Sequence, residues 1–304
     1  IGGIMKKKNT RDFYSKWFIA PAAILFIIFF VVPNLASFVL GFTDWSLYDF
    51  NNIKFNGLEN FRRLFSEKTF AIAIKNTFYF AIVTVLIKNI FGFLMALIVK
   101  KTSKFNTLLR AVVFLPMTIS VMVVAIIFVS IYNPTNGIIN EGLRAIGLDS
   151  LTCDWLFDAR YSMNSICLMD IWQGTGFTMC VMISGLQAIP TDYYEAAKID
   201  GANAAQIFFK ITLPYIMFIM GPYIITQFTG NINNFNVIYL LSAGKPTPVG
   251  DSAGKTDLLV TWLYKLTIDN QEYNIGAVIG ILTFIVLSIV ALVTYRNTKS
   301  YKDE

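Results

Sequence analysis

The amino-acid sequence predicts an all-α integral membrane protein with six transmembrane helices. Of its 304 residues, 55% are apolar and 14% are charged, whereas soluble domains carry about 45–50% and about 25%. Six stretches of about 20 residues contain at most one charged residue each, which is the length and composition that a bilayer-spanning helix needs. Together these two observations exclude an ordinary soluble core.

The predicted spans follow one another along the whole chain. Their bounds in residue numbers are 17–42, 77–99, 109–132, 162–186, 214–234 and 276–295. The first span follows Lys6, Lys7 and Lys8 and so resembles a secretory signal. Because its apolar run is longer than the roughly 7–15 residues of a signal peptide, we expect an uncleaved helix. Between the spans, the sequence predicts surface helices at 59–75 and 138–146 and an ordered loop at 235–272.

The distribution of Lys and Arg predicts the orientation, because cytoplasmic loops carry more of these residues than outer loops. If the N-terminus is cytoplasmic, the inner segments are denser in basic residues than the outer ones. Residues 1–16 and 296–304 are then cytoplasmic tails of a membrane domain that spans 17–295. The net charge of +6 follows from this asymmetry and does not indicate nucleic-acid binding. The inner basic residues are Lys6, Lys7, Lys8, Arg11, Lys16, Lys100, Lys101, Lys104, Arg110, Lys198, Lys210, Arg296, Lys299 and Lys302.

Metal, thiol and nucleotide chemistry find little support in the sequence. It contains no histidine, and Cys153, Cys167 and Cys180 lack the spacing of a zinc site or a disulfide framework. It also lacks the Gly-x-x-x-x-Gly-Lys-Ser/Thr loop that cradles the phosphates of ATP. We therefore expect no catalytic residue, no metal site and no cofactor bound by this chain.

The inner loop at 189–214, between the fourth and fifth spans, carries strong helix signals. Pro190 begins a short helix, and Gly201 favours its end because glycine adopts the left-handed conformation cheaply. Asn203 can cap a second short helix, and Pro214 can open the fifth span. The physics leaves two interpretations open: an amphipathic helix-turn-helix at the membrane surface, or a narrow knob that enters a groove on a soluble partner.

This loop resembles the EAA motif of ABC importer permeases. In that family, Glu-Ala-Ala is followed after three residues by Gly and, nine residues later, by Ile-x-Leu-Pro. The matching residues are Glu195, Ala196, Ala197, Gly201, Ile211, Leu213 and Pro214. Segments 57–61, 76–77, 186–190, 233–235 and 256–260 further resemble carbohydrate-uptake permeases, and the last two resemble the larger maltose permease subunit. That subunit in enteric bacteria carries extra N-terminal helices and a large periplasmic insertion, and we expect neither in this chain.

The resemblance implies a type I ABC importer permease fold whose EAA loop acts as a coupling element. Glu195 would pair with a basic residue of an ATPase subunit, Gly201 would set the bend, and Asp200 belongs to the same contact. The implied partners are a second homologous permease, a dimer of ATPase subunits that bind ATP and magnesium, and an extracellular solute-binding protein. The implied location is a bacterial cell membrane, with both termini in the cytoplasm.

The resemblance also implies which residues face the sugar. The polar, glycine-rich parts of the fourth and fifth spans align with the sugar-facing positions of maltose permeases, and Phe177 is a candidate stacking platform. These positions are Gln173, Gly174, Phe177, Gln227, Gly230, Asn231 and Asn234. The alternative is that these polar groups hydrogen-bond between helices.

Two charged residues lie well inside the predicted spans, Lys88 and Asp170. We favour a structural pair over a role in substrate binding. Gly276 and Gly280 form a Gly-x-x-x-Gly step that predicts close helix packing in the sixth span.

The expected cargo is an oligosaccharide, with a maltodextrin-like α-glucan as first choice. Another carbohydrate or a polyol such as glycerol phosphate remains an alternative, although a phosphate group favours Arg or Lys in the path and only Lys88 qualifies. An ion-driven secondary transporter is the alternative from another class. It would be expected to show inverted repeats or paired carboxylates at mid-membrane, and neither is seen.

Overall fold

The computed structural model describes residues 10–45, 53–101 and 103–297, and within these ranges the chain is helical. The described residues form no β-strand and only one isolated bridge, between Thr43 and Phe55. Most of the two predicted tails, residues 1–9 and 298–304, lies outside the described part of the chain.

The predicted transmembrane helices are confirmed. In the described part of the chain, five helices are long and apolar enough to cross a membrane, and a bent pair makes up to a sixth. Counting the bent pair as span 3, the spans are Trp17–Leu40, Lys68–Val99, Lys104–Thr118 with Val121–Ile131, Ser162–Gln187, Ala204–Ile232 and Tyr273–Leu292. Span 2 begins nine residues before its predicted start at 77, because the helix continues through Lys68 and Lys75 beyond the charge-free stretch.

Span 3 differs from the predicted continuous helix. Its two halves meet at an angle of 96°. Pro116 lies in the last turn of the first half, where it lacks the backbone N–H of an ordinary residue. Ile119 follows in an extended conformation, and its N–H is donated back to the Pro116 carbonyl. The helix therefore ends there and restarts at Val121, a break that a charge-free window does not reveal.

Spans 2 and 4 form the centre of the bundle, and small residues bring the helices together. A Cβ added to Gly92 of span 2 would lie 2.7 Å from the Thr178 methyl carbon of span 4. A Cβ on Gly176 would overlap the Val113 carbonyl of span 3. Without a hydrophobic driving force inside lipid, such close backbone contact supplies much of the packing energy.

The segment between spans 5 and 6 is not the predicted loop, because it contains the short helices Phe235–Ser242 and Leu259–Tyr264. The first helix packs Val237, Ile238 and Leu241 against the second half of span 3. The segment between these two helices is stabilised by Asp257, which is fully buried. The Asp257 carboxylate lies 2.7 Å from the Lys265 Nζ.

Two sequence segments singled out above meet at this outer region. The Asn76 side-chain amide donates to the carbonyls of Lys255 and Asp257, at 2.9 and 3.1 Å. The Thr77 hydroxyl accepts a hydrogen bond of 2.8 Å from the Leu259 backbone N–H. Residues 76–77 therefore hold the start of the helix Leu259–Tyr264 against span 2.

Span 1 contrasts with the centre of the bundle, because none of the residues Trp17–Leu40 is buried within this chain. Its outer end is fixed by Asn60, whose buried amide donates to the carbonyls of Gly41 and Thr43 at 2.9 and 2.8 Å. In span 6, Gly276 packs against Thr267, whereas no atom lies within 4 Å of a Cβ built on Gly280. The packing predicted for the Gly-x-x-x-Gly step is therefore present at Gly276 alone within this chain.

Candidate coupling loop and translocation path

The inner loop folds into two short helices around a sharp bend. The first helix is Thr191–Ile199, and the second is Ala204–Ile207. After the first helix, the Gly201 N–H donates to the Lys198 carbonyl at 3.1 Å and the Ala202 N–H donates to the Ala197 carbonyl at 2.9 Å. These two bonds form a Schellman motif, and Gly201 occupies its left-handed position with φ of 74°.

The second helix is capped reciprocally. The Asn203 side chain accepts from the Gln206 N–H, and the Gln206 side chain accepts from the Asn203 N–H, each at 2.9 Å. A wider helical turn at Phe208–Thr212 then leads into Leu213–Ile232, the main helix of span 5. The bend is thus set by hydrogen bonds between residues close together in sequence, which is why the sequence predicts it well.

The base of the loop is anchored to the bundle. Ile189 and Ile216 are buried in one apolar cluster with the inner ends of spans 2 and 4, and Ile211 packs against that cluster. The Tyr194 and Thr212 hydroxyls lie 3.2 Å apart, and the Lys100 ammonium lies 5.3 Å from the centroid of the Tyr194 ring. The two ends of the loop are therefore held against the inner ends of the spans.

The surface of the loop that this chain leaves uncovered carries several small apolar side chains. Glu195 and Ala196 are exposed, Ala197 is half-buried, and Asp200 follows on the exposed side. Ile199 is 86% exposed. This face therefore presents an apolar side chain, Ile199, together with the exposed carboxylates of Glu195 and Asp200. Of the remaining predicted coupling residues, Leu213 is half-buried and Pro214 is exposed at the start of span 5.

The polar centre of the bundle is built around a buried ion pair. The Lys88 Nζ of span 2 lies 2.8 Å from the Asp170 Oδ2 of span 4, and the two residues are 6% and 8% exposed. The other Asp170 oxygen accepts from the Asn234 amide at 3.2 Å, while the Asn234 oxygen caps the Val237 N–H at 3.3 Å. A Cβ on Gly174 would lie 2.7 Å from the Lys88 Cδ. The predicted pairing of Lys88 with Asp170 is confirmed.

A second polar network joins spans 2, 4 and 5. The Gln227 amide nitrogen donates to the Thr178 and Tyr223 hydroxyls at 2.9 and 2.8 Å. The Asn89 amide donates to the Gln227 oxygen at 2.6 Å. Nearby, the Asn231 amide donates to the buried Thr84 hydroxyl at 2.9 Å. Within this chain, therefore, these amide groups hydrogen-bond between helices.

The other predicted sugar-facing residues have more open surroundings. Gln173 is half-buried and donates to the Ile119 carbonyl, at the break of span 3, at 3.3 Å. Phe177 is 40% exposed, and its ring centroid lies 5.9 Å from that of Tyr223. Gly230 is exposed with open space where a side chain would stand. Of the seven predicted positions, some are therefore open and others are bonded to or packed against neighbouring helices.

Asn89 and Tyr223 belong to this centre and were missed by sequence reasoning. Asn89 directly follows Lys88, so its polar character in an apolar run was a usable signal. Tyr223 gave a weaker signal, because a tyrosine in a membrane helix is common; of its partners, Gln227 lies one turn along the same span and Thr178 lies on span 4.

The side chains of the polar centre are mostly amides and hydroxyls. Among the described residues, no group of three or more His, Cys, Asp or Glu could hold a metal ion. Well inside the described spans, Lys88 and Asp170 neutralise each other, and the open groups are amides, hydroxyls and an aromatic face. Such a surface suits a neutral, hydroxyl-rich molecule.

Comparison with known proteins agrees with this picture. The sequence profile of a family described as "Binding-protein-dependent transport system inner membrane component" matches residues 88–299. The galactooligosaccharides transport system permease protein GanP of Bacillus subtilis is 37% identical, over 92% of this chain and 69% of that protein. The maltodextrin transport system permease protein MalC of Streptococcus pneumoniae is 29% identical, over 98% of this chain and 73% of that protein.

A solved structure extends the likeness to the fold. A chain in the crystal structure of a bacterial alginate ABC transporter, in complex with a periplasmic protein that holds an alginate pentasaccharide, superposes with a TM-score of 0.82. The identity is 25%, and the match covers 97% of this chain and 98% of that one.

Proposed function

Because this chain belongs to the family of binding-protein-dependent transport system inner membrane components and is a permease subunit of a sugar ABC importer, we propose that its cargo is a neutral oligosaccharide. A maltodextrin-like α-glucan and a galactooligosaccharide are the two candidates, on the names of its relatives. The seven residues Gln173, Gly174, Phe177, Gln227, Gly230, Asn231 and Asn234 would line this chain's half of the path.

The observation that carries the neutral cargo is the Lys88–Asp170 pair. An anionic group that enters a low-dielectric path needs an opposite charge, since burying an isolated charge is very costly. Lys88 cannot serve, because it is buried and bonded to Asp170 at 2.8 Å. This disfavours glycerol phosphate as cargo, and likewise an acidic sugar such as the alginate that a structural neighbour imports.

We further propose that the loop at 189–214 couples the path to ATP. Glu195, Ala196, Ala197, Asp200 and Gly201 would dock into a partner ATPase subunit, while Ile211, Leu213 and Pro214 carry its movement into span 5. Hydrolysis of ATP, with its magnesium ion, would occur in the partner chains alone. The exposed Ile199 beside Glu195 supports this role, because this chain leaves the apolar side chain uncovered and available for contact with a partner protein.

The assembly would contain a second homologous permease and an extracellular solute-binding protein. A binding protein is supported by the alginate transporter, whose structure includes one. The loop at 189–214 and the tails at 1–16 and 296–304 would lie on the cytoplasmic side of a bacterial cell membrane. The six-span permease domain would occupy residues 17–295.

Transport by the reconstituted complex tests this proposal. Purified complex in liposomes, supplied with ATP inside and loaded binding protein outside, should accumulate a neutral oligosaccharide and should not accumulate glycerol phosphate or an alginate oligosaccharide. Uptake that continues without ATP and collapses with the ion gradient would instead identify a secondary transporter. Preferred uptake of the acidic sugar would overturn the neutral cargo.

A further inference from the structure

A cluster of three aromatic rings lies at the outer side of the candidate path. The Phe235 and Tyr239 rings stack with centroids 4.8 Å apart at 18°, and the Tyr264 ring lies 5.0 and 5.2 Å from them. Phe235 and Tyr239 occupy one side of the helix Phe235–Ser242, and Tyr264 ends the helix Leu259–Tyr264. All three residues are half-buried.

The cluster continues directly from the predicted sugar-facing residues. Phe235 follows Asn234, and exposed surface occurs on both sides of it along the chain. This surface comprises Thr226, Gly230, Asn233 and Asn236, at spacings of three or four residues. A sugar held at Gly230 and Asn234 therefore has hydroxyl, amide and aromatic surface next to it.

The two helices that carry the rings are firmly held. One packs Val237, Ile238 and Leu241 into the core against span 3 and begins at Asn234, which is bonded to Asp170. The other begins where Thr77 accepts from the Leu259 N–H. A rigid aromatic surface with few conformations to lose is well suited to binding a ligand.

A neighbouring aromatic residue shows what pure packing looks like in this region. Trp262, on the same helix as Tyr264, is fully buried, with its ring centroid 6.3 Å from that of Phe70. The three clustered rings instead keep part of their surface open, beside polar groups.

We propose that Phe235, Tyr239 and Tyr264 form a second sugar subsite, which binds a further unit of an oligosaccharide outside the central site. The proposal rests on the proposed function, because it needs a saccharide in the path. Its consequence is a preference for longer chains, since a sugar unit at the rings adds contacts to those made by the units in the central site.

Chain-length dependence of transport tests the subsite. The complex with Tyr239→Ala and Tyr264→Ala is compared with the wild type, using saturating, fully loaded binding protein and a neutral di-, tri- and pentasaccharide. The ratio of maximal uptake of the pentasaccharide to that of the disaccharide should fall roughly five- to tenfold, the range expected for lost aromatic contacts. Tyr239→Phe, which keeps the ring, should stay within about twofold of the wild-type ratio.

A matched control is Tyr79→Ala, which removes an exposed tyrosine of span 2 whose hydroxyl bonds to Asn164. It should leave the length ratio unchanged. Equal loss of uptake for all three sugars in the double variant, or no change at all, would overturn the subsite. Failure of the wild-type complex to transport any of the three sugars would overturn the proposed function instead.

Discussion

The coupling loop and the polar centre of the bundle are built in opposite ways. The loop obtains its shape from contacts between residues at most a few positions apart, such as the Asn203–Gln206 cap. The centre depends on partners far apart in sequence, such as Lys88 and Asp170, separated by 82 positions. The loop is exposed and the centre is buried. From this difference we expect substitutions in the loop to act on the proposed coupling, and substitutions at the buried ion pair to act on the stability of the fold.

The largest effect is expected from breaking the buried ion pair. Lys88→Met leaves Asp170 as a buried charge without its partner, which costs about 3–5 kcal/mol of stability. Thermal unfolding of the purified complex, read together with the yield of assembled complex, measures the loss. If Lys88→Met is as stable as the wild type, the centre does not depend on this pair.

The double variant Lys88→Met with Asp170→Asn is the control for that change. It removes both charges, and an asparagine at 170 can still accept from Asn234. Because buried pairs can often be replaced by neutral groups at little cost, the double variant should recover most of the lost stability. No recovery would show that the single variant acts through shape rather than charge.

The next effect is expected at the bend of the loop. Gly201→Ala places a Cβ on a residue with φ of 74°, which costs about 1–2 kcal/mol. The strain should reorient Glu195 and Ile199, so that ATPase stimulation by loaded binding protein falls several-fold while the unfolding temperature changes little. Gly142→Ala is the matched control, since Gly142 lies inside the outer helix Ile138–Ala145 with open space around it. A similar loss in both variants would contradict the role of the bend.

A smaller effect is expected where residues 76–77 hold the outer segment. Asn76→Ala removes two hydrogen bonds to the carbonyls of Lys255 and Asp257; because the first is exposed to solvent, the two together are worth about 1 kcal/mol. Amide hydrogen exchange should then speed up in residues 244–258 and stay unchanged in the coupling loop. Asn34→Ala is the control, because the Asn34 amide bonds to the Phe30 carbonyl of its own helix. Faster exchange throughout the chain would indicate global destabilisation instead.

The smallest effect is expected at the cap of the second loop helix. Asn203→Ala removes the side-chain acceptor of the Gln206 N–H, and loss of such a cap costs about 1 kcal/mol. ATPase coupling should fall by less than in Gly201→Ala, and Asn203→Ser should retain it. A larger loss from Asn203→Ala than from Gly201→Ala would reverse this ranking.

The same contrast explains what the sequence could predict. The six spans follow from composition and length, and the bend at Gly201 follows from local chemistry. The break of span 3 at Ile119 was missed, because the residues around it are as apolar as an unbroken helix. The helix Phe235–Ser242 was missed as well, since it is too short for a span and owes its position to packing against span 3.

The candidate path was predictable only in outline. Polar residues within the predicted spans pointed to spans 4 and 5, but the hydrogen-bond partners of these residues are set by tertiary contacts. Gln227 and Asn231 bond to Asn89 and Thr84 of span 2, which no local pattern connects to span 5. Whether these amides also contact a sugar stays a prediction.

The most direct test determines on which side of the membrane the loop at 189–214 lies and whether the ATPase subunits cover it. Ile199→Cys, in a chain whose three native cysteines are replaced by serine, is treated with a membrane-impermeant maleimide, with Val249→Cys at the exposed outer segment as control. We expect the thiol introduced at position 199 to react only in inside-out vesicles and to become protected when the ATPase subunits are added back, whereas the thiol at position 249 reacts only from the opposite face. Labelling at position 199 from outside intact cells, or full reactivity there with the ATPase bound, would contradict the coupling role of the loop.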